Sequence, residues 1–222
     1  MNNLTPDILT INRSDFKQSM RKQPTREFGR ADLIDRALGL DDIIGPKLAS
    51  IVVFTANIEY HLERAIWALG DIDPKGIRPE TDGIPITVLI SILEKHAAQE
   101  PDDTDRDLLE TWCRAARAGF IIRNNIAHGL TGKMGETVVF FRNTQWHGET
   151  RNRAFGDLWC DPATLDMIRE SLATLLRIIV AIAKDEKRLG EIASPLALKA
   201  AHEARSILGE LADQFYNPSF EK

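Results

Sequence analysis

The chain has 222 residues, 43% of them hydrophobic, and a formal net charge of -5 at pH 7. That size and composition are typical of a protein with one sizeable core, and the negative charge argues against nonspecific coating of nucleic acid by Lys and Arg. The only cysteines, Cys113 and Cys160, have no second ligand at metal spacing. We therefore expect no disulfide framework, no metal site and no cofactor.

The sequence also predicts no membrane segment. The first thirty residues are polar and lack the apolar centre of a signal peptide. The most apolar window, residues 172–183, is too short to span a bilayer and is interrupted by Thr174 and Arg177. These features indicate a protein of the reducing cytoplasm.

Two parts are expected along the chain. Residues 1–40 show no strong periodicity beyond a short helix over 27–38, and we interpret them as an N-terminal extension. Residues 41–222 form the domain. Its first long helix starts after Asp41, an N-cap, and runs to Gly70 with apolar residues in steps of three and four. Glu59 falls within that apolar stripe and so requires a partner.

Later helices are predicted over residues 86–98, over 104–127, after Asp161-Pro162, and after Ser194-Pro195 to near Phe215. We call the helix over 104–127 the motif helix. The β-like run 138–141 is expected to pair with 151–158 as a hairpin between helices. The pattern predicts an all-α helical bundle with a small β-hairpin insertion after the motif helix.

The most informative stretch, residues 120–130, reads Phe-Ile-Ile-Arg-Asn-Asn-Ile-Ala-His-Gly-Leu. Arg123 offers planar donors that match phosphate oxygens, and His128 titrates near neutral pH. Such a pair can hold a scissile phosphate while it moves a proton. In RNA that proton belongs to the 2′-hydroxyl, which then attacks the adjacent phosphorus without a metal ion.

Four residues separate Arg123 from His128, and this form resembles the Arg-x4-6-His motif of the HEPN superfamily. HEPN domains are all-helical, and many are metal-independent ribonucleases in toxin, antiphage and RNA-processing systems. Others are non-catalytic. The resemblance, which covers roughly residues 41–190 as a pattern of helices, implies a HEPN-like bundle.

The resemblance also implies a homodimer in which two motif copies face each other and cut RNA to a 2′,3′-cyclic phosphate and a 5′-hydroxyl. Arg123 would hold the phosphate, and His128 would be the general base or acid. Asn124 would orient His128 or the substrate, and Glu59 would orient Arg123. An antitoxin or a nucleotidyltransferase is a candidate partner.

A second interpretation is a non-catalytic HEPN-like dimerisation or regulatory module that binds a partner protein or a nucleotide. In it Arg123 and Glu59 form a structural ion pair, and His128 caps its helix. Five helical steps turn about 140°, so Arg123 and His128 converge only if the helix unwinds at His128. Gly129, which tolerates a left-handed conformation, is expected to end the helix there.

Charge along the chain gives weak support to an RNA site. Residues 111–153 contain seven basic and two acidic residues, although the whole chain is acidic. This segment contains the motif, where a nucleic-acid site requires positive charge. His147 within it is a second candidate acid–base group.

Overall fold

The computed structural model describes residues 30–142 and 156–212. Internal contacts divide the chain into two units, residues 1–37 and 38–222. Most of helix α1, Ala31–Leu38, belongs to the first unit, and an ion pair of 3.0 Å joins Arg36 to Asp32 one turn earlier. Residues 27–29 of the predicted short helix lie outside the described part.

The second unit is mainly helical and carries one small antiparallel sheet. Its helices are α2 (Ile44–Leu69), α3 (Ile86–Gln99), α4 (Asp103–His128), α5 (Pro162–Lys184), α6 (Leu189–Ile192) and α7 (Pro195–Ala212). Its strands are β1 (Leu130–Met134), β2 (Thr137–Arg142) and β3 (Gly156–Cys160). The predicted helical class and the positions of the five predicted long helices are confirmed. Phe215, the expected end of the last helix, lies outside the described residues.

Polar caps begin two of the long helices where the sequence predicts them. The Asp102 carboxylate accepts from the amides of Thr104 and Asp105 at 2.8 and 3.1 Å, and so starts α4. Asp161 does the same for α5, with Pro162 at the first position. Each cap satisfies amide groups that have no partner inside the helix.

The start of α2 is slightly later than the sequence predicts. Asp41 Oδ1 accepts from the amides of Ile43 and Ile44 at 2.9 and 2.7 Å, so it closes a turn just before the helix. The regular helix begins at Ile44, and Pro46 therefore falls in its first turn. Proline is tolerated there because its missing N–H has no helical partner to lose.

The helices surround one apolar core. Helix α2 packs mainly along α5 and α4 along α7, while α3 packs on α4 and also contacts α2. Trp112 of α4 is fully buried, and its indole N–H donates to the Leu175 carbonyl of α5 at 2.9 Å. This bond satisfies the polar atom of the largest core side chain and fixes the positions of α4 and α5 relative to each other.

The sheet differs from the prediction by one strand. Strands β2 and β3 pair antiparallel from Val138 opposite Cys160 to Arg142 opposite Gly156, which confirms the described part of the predicted hairpin. A further strand, β1, begins two residues after the end of α4 and pairs with β2 on its other edge. The expected two-stranded hairpin is therefore a three-stranded sheet. Alternate residues of β2 and β3 enter the core, including Val138, Phe140 and Leu158.

Among the helices of the described residues, none combines the length and the apolar character needed to cross a bilayer.

Candidate functional site

Three of the four predicted site residues meet near the C-terminal end of α4. The Arg123 guanidinium donates from Nη1 to Asn124 Oδ1 at 3.0 Å, and its Nη2 lies 3.9 Å from Glu59 Oε2 on α2. We call Glu59, Arg123 and Asn124 the arginine cluster. Asn124 thus orients the arginine, whereas the sequence suggested that it would contact His128.

The contact between Arg123 and Glu59 is loose. A separation of 3.9 Å is too long for a hydrogen bond, and only a solvent-screened attraction remains. The Arg123 side chain is 28% exposed and that of Glu59 41% exposed. Glu59 therefore does not seal the guanidinium from solvent, and Nε and Nη2 of Arg123 donate no hydrogen bond within the described residues.

His128 lies on a different side of the helix. It is the last residue of α4 and is exposed, and it forms no hydrogen bond or ion pair with residues 30–142 or 156–212. Because α4 stays helical through this residue, the five steps from Arg123 turn it by about 140°. The unwinding at His128 that convergence requires does not occur, so one copy of the chain does not bring these two side chains together. His128 also makes no side-chain bond to the last helical carbonyls.

Gly129 ends α4 as predicted, but not through a left-handed conformation. Its φ of -82° and ψ of 149° are extended, not left-handed. Glycine is required here because the backbones approach closely: a Cβ on Gly129 would lie 2.2 Å from the Asn125 carbonyl oxygen. The extended backbone leads directly into Leu130 of β1, so the chain turns from helix to strand without a loop.

The sequence analysis did not identify Asn125, which joins the motif helix to the sheet. Asn125 is fully buried, and its Nδ2 donates to the Asp157 carbonyl of β3 at 3.1 Å. Its Oδ1 is buried and has no hydrogen-bond partner. A signal was present, because Asn125 follows the buried Ile122 by three residues and so shares its face of the helix. A polar residue on a buried face requires a hydrogen-bond partner.

The chain matches no protein-family model, no curated protein and no solved structure.

The basic segment predicted around the motif is only partly free for a ligand. Arg117 donates to both carboxylate oxygens of Glu94 at 2.9 and 2.7 Å and to Ser91 Oγ at 2.9 Å. Arg114 pairs with Glu110 one turn before it at 3.3 Å. These two cations are neutralised locally, so the local positive charge is smaller than the composition suggests. His147, Arg151 and Arg153 lie outside the described residues.

Two other chemistries find no support in the described part of the chain. Within residues 30–142 and 156–212, no group of three or more His, Cys, Asp or Glu side chains could hold a metal ion. Both cysteines are buried, and burial raises the pKa of Cys160 to about 12 and raises the pKa of Cys113 as well. A thiolate nucleophile at either position is therefore disfavoured.

Proposed function

We propose that this chain is a metal-independent endoribonuclease of the HEPN type, and that its helical core is a HEPN-like bundle. The observation that carries the proposal is the state of Arg123. Its guanidinium is partly exposed, is oriented by Asn124, and keeps two nitrogen donors unused, while the exposed His128 lies one turn further along the same helix. This set of groups suits phosphate binding followed by proton transfer.

In the proposed reaction one imidazole takes the proton of a ribose 2′-hydroxyl. The 2′-oxygen then attacks the adjacent phosphorus, and the bond from phosphorus to the 5′-oxygen breaks. The departing 5′-oxygen takes a proton from a general acid. The products are a 2′,3′-cyclic phosphate and a 5′-hydroxyl. Arg123 stabilises the negative charge that builds up on the phosphorane oxygens, and His128 is the proton-transfer group.

The helical geometry favours a composite site. Arg123 and His128 of one copy point about 140° apart, so we propose that Arg123 acts with His128 of a second copy across a two-fold axis. Exposed apolar side chains beside His128 support this interface. Ile121 is 39% exposed and lies within about 20° of His128 on the helix, and Leu130 is 58% exposed.

The biological setting remains part of the same proposal. A toxin or antiphage ribonuclease of the cytoplasm needs a means of restraint, and a bound antitoxin or a modification by a nucleotidyltransferase would supply one. RNA is the proposed substrate and no cofactor takes part.

One observation favours the non-catalytic module as a second candidate. Glu59 lies near Arg123, and a carboxylate there competes with phosphate for the guanidinium. In this alternative the C-terminal end of α4 is a dimerisation surface that binds a partner protein or a nucleotide, and the arginine cluster only shapes it.

The test is RNA cleavage by the purified protein in EDTA. Wild type is compared with His128→Ala and with His96→Ala, a matched control because His96 lies in the last turn of α3. We expect cleavage by wild type and by His96→Ala, with cyclic phosphate ends, and none by folded His128→Ala. Absence of cleavage by wild type on structured and unstructured RNAs would favour the non-catalytic module.

A mixing experiment tests the composite site. Arg123→Gln and His128→Ala should each lose nearly all activity, but a heterodimer of the two contains one site with both groups intact. Statistical subunit exchange should therefore restore about a quarter of the wild-type rate. No recovery after confirmed exchange would show that each copy carries its own complete site.

A further inference from the structure

The strand register places Arg142, a cation outside the Arg-x4-His motif, beside His128. Leu130 of β1 pairs with Phe141 of β2. One further antiparallel step sets Arg142 opposite Gly129, the residue that follows His128. Neighbouring strands lie about 4.8 Å apart, so the Arg142 backbone is one strand away from the end of the motif helix.

The side chain of Arg142 is directed inward. Residues alternate across a strand, and Val138 and Phe140 enter the core, so Arg142 is on the same helix-facing side of β2. It is half-buried, and its Nε is completely buried without a hydrogen-bond partner. Its pairing partner in β3 is Gly156, and a Cβ on Gly156 would lie 3.5 Å from the second terminal nitrogen of Arg142.

Arg142 makes no side-chain hydrogen bond to the described residues, and in this it differs from five other half-buried arginines. Hydrogen bonds to oxygen acceptors are made by Arg64, Arg106, Arg117, Arg123 and Arg169. Arg142 donates none to the described residues, and no carboxylate among them lies within ion-pair distance of it. A partly desolvated cation without an acceptor is unfavourable, and an incoming anion would relieve that cost.

A second unsatisfied atom lies at the same place. Asn125 is fully buried, and its Oδ1 has no partner. The Cβ position of Gly156 is 2.9 Å from that oxygen, so Asn125 and Arg142 both pack closely on Gly156, where a side chain would not fit. Asn125 Oδ1 is an acceptor and cannot bind a phosphate oxygen, so of these two groups only the Arg142 guanidinium can bind an anion.

We propose that Arg142 binds a backbone phosphate of the RNA strand next to the scissile one, at the junction of α4 with the sheet. This inference rests on the proposed function and adds a substrate subsite on the side of His128. Asn125 is a positioning residue, because its bond to the Asp157 carbonyl fixes β3, the strand whose Gly156 lies against Arg142. A planar guanidinium is suited to a phosphodiester, which offers two acceptor oxygens.

The test is equilibrium binding of a fluorescent 2′-O-methyl oligoribonucleotide, which cannot be cleaved through its 2′-oxygen. Anisotropy is measured in EDTA over a series of KCl concentrations. Arg142→Gln is compared with wild type and with Arg114→Gln, which removes the same charge from an exposed position in the middle of α4. We expect Arg142→Gln to weaken binding about tenfold and to lower the salt slope by about 0.7, and Arg114→Gln to change neither appreciably.

The result separates the subsite from the ribonuclease. Binding that depends on Arg142 without cleavage by wild type would support the subsite and overturn the ribonuclease. Cleavage with unchanged binding by Arg142→Gln would overturn the subsite alone. If the variant does not fold, the wild type is titrated with the same oligonucleotide by ¹⁵N NMR. Shifts of the Arg142 Nε–H and the Gly156 amide support the subsite, and their absence at saturation overturns it.

Discussion

Helix α4 carries two arginines that each face a glutamate on a neighbouring helix, and the two pairs are built differently. Arg117 makes three hydrogen bonds, two of them to Glu94 of α3. Arg123, six residues later, approaches Glu59 of α2 only to 3.9 Å and is hydrogen-bonded by its neighbour Asn124 instead. The two pairs look alike in composition, so only the distances distinguish them.

The difference shows which arginine remains free for a ligand. The hydrogen bonds from Arg117 lower the pKa of the Glu94 carboxyl below its usual value, so this pair is mutually satisfied. Arg123 keeps donors unused and is partly exposed. A bound phosphate would have to displace Glu94 from Arg117, whereas at Arg123 it would meet only a screened competitor.

The largest expected effect is on stability and comes from the last turn of α4, on which the position of Arg123 depends. Gly129→Ala would place a Cβ 2.2 Å from the Asn125 carbonyl oxygen, so the helix end or the start of β1 must move. We expect a loss of about 3 kcal/mol in the free energy of unfolding, measured by urea denaturation. Gly132→Ala in β1 is the control, because nothing lies within 4 Å of its Cβ position. Equal stability of both variants would contradict the close approach.

The second effect concerns catalysis. Arg123→Gln should lower the RNA cleavage rate in EDTA by about 100-fold, or about 2.7 kcal/mol, because it removes the charge that stabilises the phosphorane. Arg117→Gln is the matched control on the same helix and should stay within about twofold of wild type, measured below its unfolding temperature. A similar loss in both variants would contradict the idea that Arg123, and not Arg117, is free to bind phosphate.

The third effect is on stability, and here the loss of Arg117 should cost more than the loss of Arg123. Arg117→Gln leaves Glu94 without its hydrogen-bonded partner and should reduce the free energy of unfolding by about 1 kcal/mol. Arg123→Gln breaks one bond to Asn124 and a loose contact, so we expect about half that loss. Urea denaturation of both variants at pH 7 and low salt measures the difference. A larger loss for Arg123→Gln would identify it as the structural arginine.

The smallest effect is the pH dependence of the stability that the pair of Arg117 and Glu94 contributes. Because the folded-state pKa of Glu94 is lowered, the ionised carboxylate stabilises the fold above the unfolded-state value of about 4.5 and loses this effect as the pH falls through the lowered folded value. The stability difference between wild type and Glu94→Gln, under about 1 kcal/mol at pH 7, should therefore shrink between about pH 5 and pH 3. A difference that is constant over this range would exclude the hydrogen-bonded pair.

Local rules predicted much of this fold correctly. Asp102 and Asp161 cap their helices because a carboxylate satisfies free amides wherever the chain places it before an apolar periodic segment. The period of 3.6 residues likewise placed both ends of α2, α3 and α4 within about three residues of where they are observed. The run from Val138 to Phe141 was identified as a strand from its β-branched and aromatic residues.

The errors lie at the junction of helix and sheet. Gly129 was interpreted through its own conformational freedom, but the observed requirement is a contact with the Asn125 backbone. Strand β1, from Leu130 to Met134, contains two polar residues and a glycine, and its identity as a strand comes from pairing with β2. Sequence patterns report burial and propensity, and this segment has little of either.

The motif residues show the same division. The sequence by itself determined the five-residue spacing of Arg123 and His128, which corresponds to about 140° if the helix continues through His128. The structure decided that the helix does continue. Only the tertiary structure decided that Arg123 stays partly free while Arg117 does not, and that Arg142 lies beside the motif. Those outcomes depend on which side chains distant helices and strands bring within about 3 Å, and a difference of 1 Å separates a hydrogen bond from a screened contact.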